Sequence, residues 1–94
     1  MTITVGSFTF DDYKYDERGD VLYLSIGPPQ EPAKTHATPE GHAVDYDDRG
    51  TLVGMVLYGP RFYLGRDGHV KVTFPRGEPD AEVGSNALAP VLAA

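Results

Sequence analysis

Three histidines, His36, His42 and His69, are the residues of this chain best suited to hold a metal or move a proton. Imidazole is the commonest metal ligand and titrates near neutrality. Their spacing matches no i, i+4 pair and no His-Glu-x-x-His motif, and the chain has no cysteine to complete a site. They read as solvent-facing loop histidines. The run Asp45-x-Asp47-x-x-Gly50 begins like a calcium loop. Its fifth position is Arg49, and its twelfth, where a bidentate Glu belongs, is Val56, so too few oxygen ligands are in place. Ser7, Ser25 and Ser85 lie in no Gly-x-Ser-x-Gly turn. The acid pairs Asp11/Asp12 and Asp47/Asp48 are sequence neighbours, which on a strand point to opposite faces. Gly65-Arg66-Asp67-Gly68 reads as a turn, because no helix start with a lysine follows it. With no nucleophile–base–orienter grouping, we expect no catalytic residue, no cofactor and no metal.

Tyrosines and phenylalanines at alternating positions resemble RNA-stacking platforms, which sit beside Lys and Arg. Here their neighbours are Asp11, Asp12, Asp16 and Asp45. The chain carries 8 Lys and Arg against 14 Asp and Glu, a formal charge of −6. That balance argues against nucleic acid or an anionic membrane as direct partner. No apolar run approaches the ~20 residues of a membrane helix, and the N-terminus lacks the basic and apolar regions of a signal peptide. The expected location is cytoplasmic.

What would position these side chains? In 94 residues there are 11 glycines and 8 prolines, which suit short strands and many turns within one domain. An internal repeat is present. Tyr15-Asp16-Glu17-Arg18-Gly19 recurs as Tyr46-Asp47-Asp48-Arg49-Gly50. Asp at the first position and Gly at the fourth signal a type I turn with a left-handed glycine bulge. Asp16, Gly19, Asp47 and Gly50 are therefore the turn-forming residues of two hairpins, about 12–16 with 20–26 and 42–47 with 51–58.

In this register Asp16 faces Asp20, Tyr15 faces Val21 and Tyr13 faces Tyr23; in the second copy Tyr46 faces Leu52 and Val44 faces Gly54. One face then carries Tyr13, Tyr15, Val21, Tyr23, Val44, Tyr46, Leu52, Val56 and Tyr58. The other carries Leu22, Leu24, Ile26, Ala43, Val53, Met55 and Leu57, with Lys14 and Asp45 as polar intruders, and is the expected core. Thr2–Phe10 and His69–Phe74 read as further strands. Pro60–Leu64 reads as one helical turn, with proline at the first position, where its missing N–H costs nothing. The expected fold is mainly β: an antiparallel sheet of five or six strands built on two similar hairpins, with at most one short helix. Residues 1–74 form the expected domain, interrupted by a proline-rich loop at 27–41. Residues 75–94 read as a tail, partly disordered or docked.

The two hairpin segments, Tyr15-Asp16 to Asp20-Val21-Leu22-Tyr23-Leu24 and Val44-Asp45-Tyr46-Asp47 to Gly50, then Val53-Gly54-Met55, resemble the DUF2283 family of small bacterial proteins. The resemblance spans about Tyr13 to Leu57. It implies a small, mostly antiparallel β module and no activity, the family being one of unknown function. The family pattern carries Glu where this chain has Val56, so any site built on that Glu is absent here. By analogy with toxin–antitoxin neighbourhoods, the resemblance also implies an acidic, antitoxin-like partner of a small basic protein.

A sheet apolar on both faces needs cover on both sides. The short helical segment, the loop and the tail suffice for one. The functional expectation is a non-enzymatic interaction module that forms a homodimer through Tyr23, Tyr46, Val56 and Tyr58. The alternative is a small-molecule or metal-binding protein using the same Tyr/Asp surface.

Overall fold

The computed structural model describes residues 2–92. In chain order the elements are β1 (Ile3–Val5), β2 (Phe8–Phe10), β3 (Asp12–Asp16), β4 (Val21–Ser25), β5 (Lys34–Ala37), β6 (Ala43–Tyr46), β7 (Leu52–Tyr58), α1 (Pro60–Asp67), β8 (His69–Val72), β9 (Ala81–Gly84) and α2 (Ser85–Leu92). Five strands form an antiparallel sheet in the order β3-β4-β7-β6-β5, and β1-β2 and β8-β9 are two small hairpins. The fold is mainly β, as its composition demands.

The second repeat copy folds as its residues dictate. Gly50 takes φ 81°, Asp47 Oδ1 accepts the N–H groups of Arg49 and Thr51, both at 2.9 Å, and Tyr46 pairs with Leu52. The first copy departs. Its loop is one residue longer: Asp16 pairs with Val21, and the left-handed residue is Asp20 (φ 54°), not Gly19. Aspartate tolerates that region better than most residues. Asp16 still organises the turn, accepting the Arg18 N–H at 3.1 Å.

One residue of register moves every side chain of a strand to the other face. Tyr13 and Tyr15 therefore lie opposite Leu24 and Leu22 and pack against the core, while Lys14 faces outward beside Tyr23. A second shift occurs in β7. Asp45 pairs with Gly54 but Tyr46 with Leu52, so Val53 is an extra residue in a bulge. The bulge lets Leu52 and Met55, three apart, both enter the core, and it pairs Val44 with Met55 instead of Gly54. Tyr46 is thus a core residue, 1% exposed, and leaves the surface face on which the alternation placed it.

Over the inner face of the sheet lies a second layer made of β1-β2, β8-β9 and the helices. Ile3, Val5, Phe10, Val70, Val72, Val83, Leu88 and Val91 join Leu22, Leu24, Val44, Met55 and Leu57 in one core cluster. Thr2–Phe10 is not one strand: it folds back at Gly6, pairing Ile3 with Phe10. The tail supplies β9 and a second helix, one more than expected. In α2, Leu88, Val91 and Leu92 fall on one face and are buried, and the helix packs on β1 and β9. Pro90 inside the segment masks that spacing. The proline-rich segment also contains β5, an exposed edge strand. No helix among the described residues is long and apolar enough to cross a membrane.

Candidate functional site: the outer face of the five-stranded sheet

Register places the outward side chains in rows across the strands. One row runs Lys14, Tyr23, Val56, Ala43, Ala37, and the next Asp12, Ser25, Gly54, Asp45, Thr35. A third joins Asp16, Val21 and Tyr58. Tyr23 and Tyr58 are 46% and 47% exposed, large values for aromatic side chains in the middle strands of a sheet. Val56 between them is half-buried. Three of the four expected interface residues therefore share this face, and Tyr46 lies beneath it.

Beside Tyr23 the face is concave. A groove of about 500 Å³ is floored by Val53, Gly54 and Val56, flanked by Asp12, Lys14, Ser25 and Asp45, and bordered by Pro29 and Gln30. Gly54 makes room for the Asp45 carboxylate: a Cβ there would sit 3.1 Å from the Leu24 carbonyl oxygen and 3.3 Å from Asp45 Oδ2. Thr35 Oγ1 donates to Asp45 Oδ1 at 2.8 Å, orienting that carboxylate on the surface. Phe62, on α1, is the third exposed large hydrophobic side chain, at 59%. Sequence reasoning assigned Phe62 to a covering helix and missed its exposure.

Two polar clusters hold the frame behind this face. Asp20 is the first. Its carboxylate accepts the Arg61 and Phe62 N–H groups, each at 3.1 Å, and the Tyr15 hydroxyl at 2.7 Å. It thus caps α1 from a different hairpin, because Gly59 at the helix start has no side chain to do so. Burial, reinforced by the Asp20 bond, pushes the Tyr15 phenol up to about 12. Tyr58 precedes this helix start by two residues, so the cap also fixes the end of β7.

The second cluster is built on the turn 38–42. Thr38 Oγ1 accepts the His42 N–H at 3.0 Å, and Glu40 accepts the Thr73 N–H at 2.9 Å and the Thr73 hydroxyl at 2.6 Å. Burial raises the Glu40 pKa, but the Thr73 bonds outweigh it and hold the carboxyl below its usual value. His42 is 1% exposed, its ring edge-on to Tyr63 with centroids 5.9 Å apart. Its Nδ1 accepts the Tyr58 N–H at 3.1 Å. The solvent-facing loop histidine expected from sequence is, at this position, a core residue.

The other histidines lie elsewhere. His36 stacks edge-on to Tyr46, and His69 Nε2 lies 4.0 Å from Glu82. Among the described residues no three His, Cys, Asp or Glu side chains are grouped for metal binding. Asp45 and Asp47, the start of the calcium-like run, are engaged separately, one by Thr35 and one by its own turn.

Residues 12–59 match the model of DUF2283, a family of proteins of unknown function. The match begins with β3 and ends one residue past β7, so it covers the whole five-stranded sheet and little of the layer packed beneath it. No curated protein and no solved structure matches the chain. The chain belongs to the DUF2283 family, and the sheet that carries Tyr23 and Tyr58 is the part it shares with that family.

Proposed function

We propose that the protein is a non-enzymatic interaction module that forms a homodimer through the outer face of its five-stranded sheet. One observation carries this reading: the inner face is covered by the second layer, while Tyr23 and Tyr58 on the outer face stay about half exposed. Tyrosine combines a large apolar ring with a polar tip and is enriched at interfaces. Strands spaced ~4.8 Å apart and rising ~3.3 Å per residue, with lengths of 5, 5, 7, 4 and 4 residues, give a face of roughly 400 Å² in projection. That projected area is about half the ~800 Å² of accessible surface per partner in a standard interface, which places the dimer among the smaller ones.

The apolar side chains of the face suit a second copy, Lys14 offsetting the acids at its edges. A two-fold axis along the strands, between β4 and β7, lays the β3 side of one copy over the β6 side of the other. That axis stacks Tyr23 on the partner's Val56 and Tyr58 on the partner's Val21, and it places Lys14 over the partner's Ala43, one row from the facing carboxylates of Asp12 and the partner's Asp45. Replacing Tyr23 or Tyr58 by Glu sets a charge against the partner's apolar Val56 or Val21 and should convert a dimer to monomer in sedimentation, with the fold unchanged by circular dichroism. Dimers that survive both substitutions would assign assembly to another surface.

The groove beside Tyr23 supports a second reading, a small-molecule site that uses Asp12, Lys14, Tyr23 and Asp45. That reading predicts a monomer whose melting temperature rises with a bound metabolite.

A further inference from the structure

The β6-β7 ladder ends early on the β6 side. Its last pair toward the chain end of β7 is Ala43 with Val56, yet β7 continues to Tyr58. The Tyr58 N–H points toward the β6 side, since the next residue, Gly59, donates to the Asp20 carbonyl on the β4 side at 2.7 Å. A backbone carbonyl from β6 would normally receive it. The His42 imidazole takes that place, with Nδ1 as acceptor at 3.1 Å. The bond places the ring's own proton on Nε2, which is buried against the backbone of Lys71 without a well-formed hydrogen bond. Among the described residues the groups that act on the ring are Tyr58 from β7, Tyr63 from α1, Lys71 from β8 and, as a charge, Glu40 from its own turn.

We propose that His42 is a pH-sensitive latch on the dimer face: a second proton on the ring turns the Nδ1 acceptor into a donor, releases the Tyr58 N–H, and loosens the strand end that presents Tyr58. This rests on the reading of the outer face as the dimer surface. The geometry allows no gentler outcome. A protonated imidazole has no acceptor, so it cannot face an N–H. At 1% exposure it cannot reach water without moving the 38–42 turn. Glu40, the nearby anion, is already held by Thr73. Burial opposes the charge, so the latch opens below the 6.5 of an ordinary histidine and leaves the protein closed at neutral pH.

The test follows two readouts between about pH 7.5 and about pH 5, a window that brackets ordinary histidine titration. One is hydrogen-exchange protection of the Tyr58 amide; the other is molar mass by light scattering. In the parent chain, Tyr58 protection should fall by about tenfold or more while the core amides of β4 hold, and the dimer should dissociate over the same range. His42→Gln supplies a non-titrating oxygen that can accept the Tyr58 N–H, and it should abolish both responses. Tyr23→Glu provides a monomer in which Tyr58 protection must still respond. Tyr58 protection that ignores pH, or that responds equally in His42→Gln, overturns the latch and leaves the dimer standing. A parent that is monomeric at neutral pH removes the dimer reading, while the Tyr58 amide still decides the latch.

Discussion

Asp20 has more to do than any other single residue. It stands at positive φ, caps α1 through two backbone N–H groups, and takes the Tyr15 hydroxyl. Loss of a cap alone costs about 1 kcal/mol. Asp20→Ala also strands a part-buried phenol and places a Cβ-bearing residue of lower left-handed tolerance, so a loss of roughly 2 kcal/mol is expected in urea unfolding. Asp20→Asn retains an acceptor and the backbone tolerance and should cost less. The two repeat glycines are predicted to differ. Gly50 needs its φ of 81°, and a Cβ there would run into the Arg76 guanidinium, so Gly50→Ala should lose about 1 kcal/mol. Gly19 has no positive φ, and its Cβ would meet the movable Asp16 carboxylate at 3.1 Å and Val21 Cγ2 at an ordinary 3.5 Å, so Gly19→Ala should lose clearly less. Equal losses would contradict the different turn assignments.

At the level of elements, both hairpins, the first turn of α1 and the strand after it are legible in the residues, because repeat, turn chemistry and apolar runs are local signals; Gly65-Arg66-Asp67, read as a turn, instead continues α1 to its left-handed cap at Gly68. Register is not. Whether the left-handed residue in the first loop is Gly19 or Asp20 depends on the cap that Asp20 provides for a helix 40 residues away, which no local pattern encodes. The Val53 bulge is hidden for the same reason: it exists so that Leu52 and Met55 can both enter the core. The fate of His42 follows the turn that buries it. Burial lowers its pKa from 6.5, against the pull of Glu40. Above that value the ring is neutral folded and unfolded; as pH falls, the unfolded chain takes up the proton first and the folded state loses stability until its own lower pKa is passed. Urea midpoints should therefore drop from about pH 7 toward about pH 5, and the His42 share of that slope should vanish in His42→Gln. Glu40, also lowered, acts in a separate window, its contribution present above 4.5 and lost as pH falls below it. The tail is an element too: Val83, Leu88 and Val91 sit in the core, so a chain cut after residue 80 should lose its cooperative unfolding transition.

For the whole molecule, the organising fact is a sheet that the described residues cover on its inner side and leave with exposed tyrosines on its outer side. The family segment supplies the sheet, and residues on either side of it in the chain supply the layer that buries its inner face. The outer face is left with Tyr23 and Tyr58 exposed around Val56, and with Lys14 and Asp45 on opposite sides of the patch. Alternation in the sequence disclosed a tyrosine face but sorted Tyr46 onto it wrongly, because the two register shifts lie outside what alternation can encode. The central claim is that this face meets its own copy. A formal charge of −6 per chain opposes that at long range, and ~0.1 M salt screens it within ~10 Å. Light scattering on the intact chain at micromolar concentration, neutral pH and that salt tests the claim most directly. The expected mass is close to twice the 10.2 kDa of one chain, falling to a single chain in Tyr23→Glu; a parent mass of one chain under those conditions would rule out the homodimer.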